Sequence, residues 1–317
     1  MSTTDIDVLR HALEWTKAQK NVVLATVIET WGSAPRKAGS HMAVREDGVF
    51  LGSVSGGCVE GAIVREAQNG DWSTGGRLLE YGISNESAWE VGLACGGKLS
   101  IWLEEIDSSV LESICSHHED RLFCCLHIPI SNGGRSFVAK EEVGQGSAKS
   151  IIQKDGRAIR VYYPARRMFL IGAAHIAQAL TAMAVVVGYE IIVIDPRGLF
   201  LHPDRWGDAQ TLEVYPDEYF SQITIHARDA IVVLSHDPKI DDPALLCALS
   251  SSAYYIGALG SRKTHGQRVQ RLQKKGCSMP QIERIHGPVG LAISARTPSE
   301  IAVSILAQAI SLQGEEA

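Results

Sequence analysis

Two cysteines lie next to paired glycines in the first half of this 317-residue chain. Cys58 follows Gly56-Gly57, and Cys95 precedes Gly96-Gly97. Flexible backbone with exposed amide groups can lower the pKa of a thiol, and a thiolate can bind a soft metal or accept sulfur. Most free cysteines are instead small buried apolar residues, so both interpretations stay open. Arg36, in an earlier turn, is a candidate for bidentate contact with a phosphate.

A glycine turn in the second half has the layout of a dinucleotide-binding fingerprint. Gly172 follows an apolar run, His175 opens a helical pattern, and Asp195 ends the next apolar run. In that fingerprint the phosphates meet the helix N-terminus and the acidic residue binds a ribose hydroxyl. Ala174 replaces the glycine that lets the backbone approach the pyrophosphate. The alternative is a structural strand-turn-helix without a ligand.

A second anion site is predicted at Gly260, Ser261 and Arg262, which follow another apolar run. Backbone N–H groups, a hydroxyl and a cation in one turn suit a phosphate or an acidic group. His236, after the preceding apolar run, is a candidate ligand contact. Ligands of open parallel sheets bind beyond the carboxyl ends of the strands, so these loops should share one edge. The alternative for each is a solvated loop residue.

The elements that must position these residues differ between the two halves. Apolar residues three and four apart predict an amphipathic helix over residues 5–20, and a β-branched run predicts a strand over residues 22–29. From Met168 onward, strand and helix patterns alternate, which predicts a parallel sheet with right-handed crossovers. Strands are predicted at 168–171, 191–194, 230–234 and 254–256. Thr297, Pro298 and Glu300 predict a capped start of the last helix.

The length predicts two domains, because single cores stop growing before this size. We expect an α/β protein with an N-terminal α+β domain, residues 1–163, followed by a Rossmann-like parallel-sheet domain, residues 164–317. The net charge of −6 argues against a nucleic-acid partner. No apolar run is long enough for a membrane span, and charges near the N-terminus argue against a signal peptide, so we expect a cytoplasmic protein. Seven cysteines, an odd number, favour reduced thiols.

Taken together, these motifs resemble the XdhC/CoxI family, the accessory factors of xanthine dehydrogenase and related molybdenum hydroxylases. The resemblance covers most of the chain and includes the strand-turn-helix around His175. Its other motifs are Gly32–Arg36, Gly52–Glu60, Gly92–Gly97, Ile256–Arg262, Gly287–Leu291 and Thr297–Ile305. The chain departs from the family at Ala174 and in the stretch 290–295, which lacks a usual acidic residue and glycine.

The resemblance implies a chaperone that binds the molybdenum cofactor transiently, as molybdopterin or its cytosine dinucleotide form. It implies help with sulfuration and insertion into an apo molybdenum hydroxylase, of the xanthine dehydrogenase or aldehyde oxidase type. A cysteine desulfurase would supply the sulfur, and the chain would pair as a homodimer. By this analogy Cys58 and Cys95 contact molybdenum or the transferred sulfur, and the Rossmann loops face the phosphate or nucleotide. No turnover of its own is implied.

Two other functions stay open. A dehydrogenase using NAD(P) is suggested by Gly172 and Asp195, although no hydride-transfer site can be named from the sequence. A scaffold that binds partner proteins without a ligand would need neither Cys58 nor Arg262.

Overall fold

The chain, seen in a computed structural model, divides into two compact units. The first contains Thr3–Pro164 and the second Ala165–Gly314. The structure describes residues 4–31, 36–82, 98–131, 134–139 and 151–313. Among the helices of these residues, none combines the length and the apolar character that crossing a membrane requires.

The described part of the first unit is an α+β arrangement with two antiparallel sheets. One sheet has the strand order β3-β2-β1-β5-β4 and the other has the order β7-β6-β9-β8. The strands are β1 (Val22–Trp31), β2 (His41–Arg45), β3 (Phe50–Gly52), β4 (Arg77–Tyr81), β5 (Lys98–Glu105), β6 (Cys124–Ile128), β7 (Phe137–Ala139), β8 (Ile151–Lys154) and β9 (Arg157–Tyr162). The described helices are α1 (Asp5–Lys17), α2 (Glu60–Asn69) and α3 (Ser108–Glu119).

Strand β1 lies at the centre of the first sheet because both of its faces are apolar. Val22 and Leu24 pack into a core with helices α1 and α3, whereas Val23 and Ala25 pack on the other face with helix α2. Helix α1 begins at a capping box between Thr4 and Asp7. Its ends and those of β1 lie close to the sequence-based bounds.

The second unit is built on one parallel six-stranded sheet of order β12-β11-β10-β13-β14-β15. The strands are β10 (Arg166–Ile171), β11 (Tyr189–Ile194), β12 (Gln210–Leu212), β13 (Ala230–Val233), β14 (Tyr255–Ala258) and β15 (Ile285–His286). The helices are α4 (His175–Val186), α5 (Pro216–Phe220), α6 (Pro238–Leu249), α7 (Arg262–Lys274), α8 (Met279–Ile282) and α9 (Pro298–Ser311).

Alternate residues of the parallel strands point to opposite faces, and helices cover both. Met168 and Leu170 pack with helices α4 and α9, while Phe169 and Ile171 pack with helices α6 and α7. Strand order reverses between β10 and β13, and ligands of such sheets bind beyond the carboxyl ends of the strands at that point. The predicted α/β fold class, with a Rossmann-like second half, is therefore confirmed.

Helix starts were predicted better than short strands. Thr297 caps helix α9 with its side chain and Glu300 completes the capping box, as the sequence indicates. Strands β12 and β15, with three and two residues, carry too little periodicity to be predicted.

Candidate functional site

The loop before helix α2 is held around one buried carboxylate. Glu60, the first residue of α2, accepts hydrogen bonds from the hydroxyls of Ser53 (2.6 Å) and Ser55 (2.5 Å). Its oxygens also accept the backbone N–H groups of residues 54 to 57, over 2.9 to 3.2 Å. Gly56 and Gly57 adopt φ angles of 82° and 117°, which few other residues tolerate. Glu60 therefore organises the loop that carries Cys58.

Glu60 is ionised at neutral pH. Burial raises the pKa of this carboxyl, but the hydrogen bonds from Ser53, Ser55 and the backbone outweigh it and lower the pKa to about 2. The family motif contains this glutamate, yet its role could not be predicted from the sequence, because nothing in the spacing shows which way the side chain turns.

Cys58 is a half-buried free thiol that packs against the core on the α2 side of the first sheet. Its backbone N–H and that of Val59 donate to the Ser55 hydroxyl, at 3.0 and 2.9 Å. The amides around the thiol are thus bonded to Ser55 and Glu60, which differs from the expectation that they are exposed. The second predicted thiol, Cys95, lies outside the described residues.

Arg36 links the same loop to the start of helix α1. Its Nε donates to the carbonyl of Ser53 at 3.0 Å, and its Nη2 donates to Asp5 Oδ1 at 3.3 Å. Arg160 binds the other oxygen of Asp5 at 3.2 Å. Two nitrogens of Arg36 are therefore engaged within the protein, which leaves less of the guanidinium for the phosphate contact expected from the sequence.

A buried histidine that no sequence motif marks lies in the same unit. His41 Nδ1 is 3.0 Å from Thr26 Oγ1, and its Nε2 is 2.6 Å from the hydroxyl of Tyr162. Burial lowers the pKa of His41 to about 4 and raises the pKa of Tyr162. His41 is therefore neutral at neutral pH and fixed on both ring nitrogens.

In the second unit, the turn after β10 has the predicted form. Gly172 has a φ angle of 103°, and a Cβ there would lie 2.6 Å from the backbone nitrogen of Ser235, so only glycine fits. Ala174 is the N-cap of helix α4 and gives it no side-chain cap. His175, the first helical residue, is exposed. The first N–H groups of α4 are thus not satisfied by a cap, as in helix starts that bind anions.

Asp195, predicted to bind a ribose hydroxyl, is fully buried after strand β11. Its Oδ2 accepts the N–H of Ala173 (2.8 Å) and Nη2 of Arg197 (2.7 Å). Its Oδ1 accepts the backbone N–H and Nε of Arg197, at 2.9 and 2.8 Å. Burial raises the pKa of Asp195, but the hydrogen bonds from Arg197 and Ala173 outweigh it, so the pKa is lowered. The carboxylate ties the glycine turn to the next strand.

His236 lies in the loop after β13 and is exposed, with a φ angle of 64°. The Ser235 hydroxyl donates to Asp241 Oδ1 at 2.5 Å and accepts the N–H of Asp237 at 3.1 Å, which fixes the backbone on both sides of the histidine. Because Gly172 packs against Ser235, the loops that carry His175 and His236 adjoin each other at the point where the strand order reverses.

The turn after β14 is the third loop at this edge. Gly260 has a φ angle of 140°, Ser261 caps helix α7 by accepting the N–H of Thr264 at 3.1 Å, and Arg262 is exposed. Arg268, missed in the sequence, is buried beneath this turn and donates to the carbonyl of Leu259 at 2.8 Å. The structure thus places Gly172, His175, Asp195, His236, Gly260, Ser261 and Arg262 at the carboxyl ends of the strands of one sheet.

The other described cysteines of the first unit are buried. They are Cys115, Cys124 and Cys125, and burial raises the pKa of Cys124 to about 12. Within the described ranges, no group of three or more His, Cys, Asp or Glu side chains is arranged to hold a metal ion.

Comparisons with known proteins extend over both units. The XdhC Rossmann domain matches residues 168–309, and the XdhC and CoxI family matches residues 15–82. The molybdenum cofactor insertion chaperone PaoD of Escherichia coli (strain K12) is 30% identical, over 96% of this chain and 88% of its own. A Bacillus subtilis (strain 168) protein named as a probable xanthine dehydrogenase subunit is 28% identical, over 92% of this chain and 93% of its own.

A solved structure supports the same relationship. A crystal structure of a protein described as a xanthine dehydrogenase from Bacillus halodurans superposes with a TM-score of 0.78, at 26% identity, over 98% of this chain and 95% of the other. The resemblance inferred from the motifs is confirmed by the two domain matches and by the E. coli relative. This chain belongs to the XdhC and CoxI family.

Proposed function

We propose that this chain is a chaperone that binds the molybdenum cofactor and inserts it into an apo enzyme of the xanthine dehydrogenase type. The observation that carries the proposal is similarity along nearly the whole chain to an E. coli protein named as a molybdenum cofactor insertion chaperone. The Bacillus relatives are named as xanthine dehydrogenase or part of it, which points to the client enzyme.

The Rossmann unit is proposed to hold the phosphorylated end of the cofactor. The uncapped start of helix α4 and the Ser261–Arg262 turn offer N–H groups, a hydroxyl and a cation at one edge of the sheet. His175 and His236 are exposed beside them and are proposed ligand contacts. Molybdopterin carries a phosphate and its cytosine dinucleotide form a diphosphate, so either form suits this donor set.

The first unit is proposed to supply the sulfur ligand. A thiolate is a soft ligand suited to molybdenum and to accepting sulfur. Cys58 fits this role, because it is a free thiol that is only half-buried and lies in a loop whose shape does not depend on the thiol itself. Cys95 is proposed for the same role, and Arg36 is proposed to hold the loop beside Cys58. We also propose that a cysteine desulfurase supplies the sulfur. The chain is further proposed to form a homodimer and to be cytoplasmic.

A dehydrogenase that uses NAD(P) is the second candidate, because the strand order is that of a dinucleotide-binding sheet. Two features weigh against it. Ala174 adds a methyl group beside the approach of the pyrophosphate, which weakens the binding of any dinucleotide, and the oxygens of Asp195, bonded to Arg197 and Ala173, leave no acceptor for the ribose hydroxyls of NAD⁺.

Purification from cells that make the cofactor tests the proposal. We expect molybdenum in the preparation and a fluorescent oxidised pterin after its release. Protein that carries no pterin and does not bind added cofactor would contradict the proposed function.

The client assay separates the chaperone from a scaffold. Cys58→Ala is expected to reduce the activity gained by an apo xanthine dehydrogenase at least about tenfold, while unfolding in urea stays nearly unchanged. Cys277→Ala, a half-buried thiol of the other unit, is the matched control. A client that is activated equally by the wild type, Cys58→Ala and Arg262→Ala would favour the scaffold.

A further inference from the structure

The carboxylate of Asp195 is closed to a ligand, because it is fully buried and both of its oxygens are bonded to donors of the protein. An ionised carboxylate offers about four lone-pair directions. Four hydrogen bonds fill them, three from Arg197 and one from the N–H of Ala173, all between 2.7 and 2.9 Å. The side chain is also fully buried.

The position of Asp195 makes these hydrogen bonds relevant to ligand binding. In dinucleotide-binding sheets, the acidic residue after the second strand accepts hydrogen bonds from ribose hydroxyls. Asp195 follows β11, the strand next to β10 on the side away from β13. A ribose hydroxyl would have to reach an oxygen that is fully buried and already bonded to Arg197 or Ala173. The group that reaches solvent here is Arg197.

Arg197 is held in one orientation with its outer part exposed. Asp195 binds its Nε and Nη2, which fixes the guanidinium plane, and the ring of Phe200 lies 4.7 Å from the guanidinium carbon. The side chain is 45% exposed, against 0% for Asp195. Among the described residues, no hydrogen bond is formed by its Nη1. A fixed guanidinium with free N–H groups is suited to phosphate, because little side-chain entropy is lost on binding.

We propose that the end of strand β11 is a phosphate-binding point at which Arg197 is the specificity-determining residue. It selects a ligand that carries a phosphate monoester there over one that carries a ribose diol. The inference rests on the proposed function only in that the Rossmann unit takes a phosphorylated ligand, and it adds the group that is recognised and the residue that recognises it.

The test uses two probes that differ by a single phosphate on the adenosine ribose, NADP⁺ and NAD⁺. Calorimetric titration of the full chain is expected to show NADP⁺ binding about tenfold tighter or more, since about 1.4 kcal/mol corresponds to that ratio. Arg197→Met should remove the difference. Equal affinities, tighter binding of NAD⁺, binding of neither probe, or an unchanged ratio in Arg197→Met would overturn the inference.

Companion variants separate recognition from damage to the fold. Arg197→Met leaves a buried carboxylate without its partner, so Asp195→Asn/Arg197→Met provides the same loss of cation without an unpaired charge. Asp195→Asn alone keeps the cation and should keep the preference for NADP⁺. If Asp195 instead bound the ribose hydroxyls, the same substitution would weaken the binding of NAD⁺. Arg205→Met removes another cation stacked on Phe200, at 5.9 Å, without touching Asp195, and should leave the ratio unchanged.

Recovery of pterin from the wild type distinguishes this inference from the proposed function. Pterin in the preparation together with equal affinities for the two probes would reject the phosphate-binding point and keep the chaperone. A clear preference for NADP⁺ in protein that carries no cofactor would keep the phosphate-binding point and reject the chaperone.

Discussion

Glu60 shows how a single residue shapes the surroundings of Cys58. Six hydrogen bonds, from two hydroxyls and four backbone N–H groups, converge on its carboxylate. The thiol can therefore change its chemistry without loss of the loop. This is a useful property in a residue proposed to accept and release sulfur.

Glu60→Gln is expected to lower the free energy of unfolding by about 1.5 to 3 kcal/mol at pH 7, the usual value for hydrogen bonds to a charged group. The pKa of Glu60 in the folded protein, about 2, lies below the ordinary 4.5. Its stabilisation is thus fully present above pH 4.5 and is lost as the pH falls towards 2. Urea unfolding at several pH values should show that the difference in the free energy of unfolding between wild type and variant becomes smaller as the pH falls.

Glu66→Gln is the control for this experiment. Glu66 lies on the same helix and pairs with Arg77 at 2.7 Å, but both side chains are more than 40% exposed. Exposed pairs contribute about 0 to 1 kcal/mol, so a small effect is expected. An effect as large as that of Glu60→Gln would show that any loss of charge on α2 destabilises the unit.

His41 makes the pH range from 6.5 to 4 informative, just above the range in which Glu60 titrates. Its pKa in the folded protein, about 4, lies below the ordinary 6.5, because the neutral ring is buried between Thr26 and Tyr162. The unfolded chain binds the proton more readily, so stability falls as the pH drops from 6.5 to 4, by up to about 3 kcal/mol. In urea unfolding, His41→Gln should reduce this dependence of the free energy of unfolding on pH. His11→Gln, an exposed histidine of helix α1, should leave it unchanged.

At the scale of elements, the turn between β10 and α4 depends on close backbone approach. Gly172→Ala is expected to cost at least about 2 kcal/mol more than Gly188→Ala in urea unfolding, because overpacking adds to backbone strain. Both glycines have a positive φ, 103° and 88°, but only at Gly172 would a Cβ meet a neighbour. Equal costs would mean that the loop of Ser235 moves to accommodate the added methyl group with little loss of stability.

The elements also show what periodicity can and cannot predict. Buried strands of four residues or more, such as β10 and β13, were predicted because an apolar run flanked by turn residues is a local signal. Strand β12 has only three residues, and β3 and β4 have no fully buried residue. Such strands form because a neighbouring strand offers hydrogen bonds, which no local pattern records.

At the scale of the molecule, the described residues form four buried apolar clusters, and each draws its residues from one unit alone. We therefore expect residues 165–313, expressed alone, to fold and to unfold cooperatively in urea, followed by far-UV circular dichroism. A fragment that is unfolded at neutral pH and moderate salt would show that the second unit needs the first for its stability.

The sequence by itself determined the family, the division into an α+β half and a Rossmann-like half, and the loops that meet at the edge of the parallel sheet. These follow from local signals, namely motif order, apolar periodicity and turn residues. Only the tertiary structure decided what the polar side chains do. Asp195 is saturated by Arg197, Glu60 gathers the amides around Cys58, and Arg36 braces a loop. Hydrogen bonds to buried carboxylates depend on which donors the fold brings within about 3 Å, and sequence spacing does not record that distance.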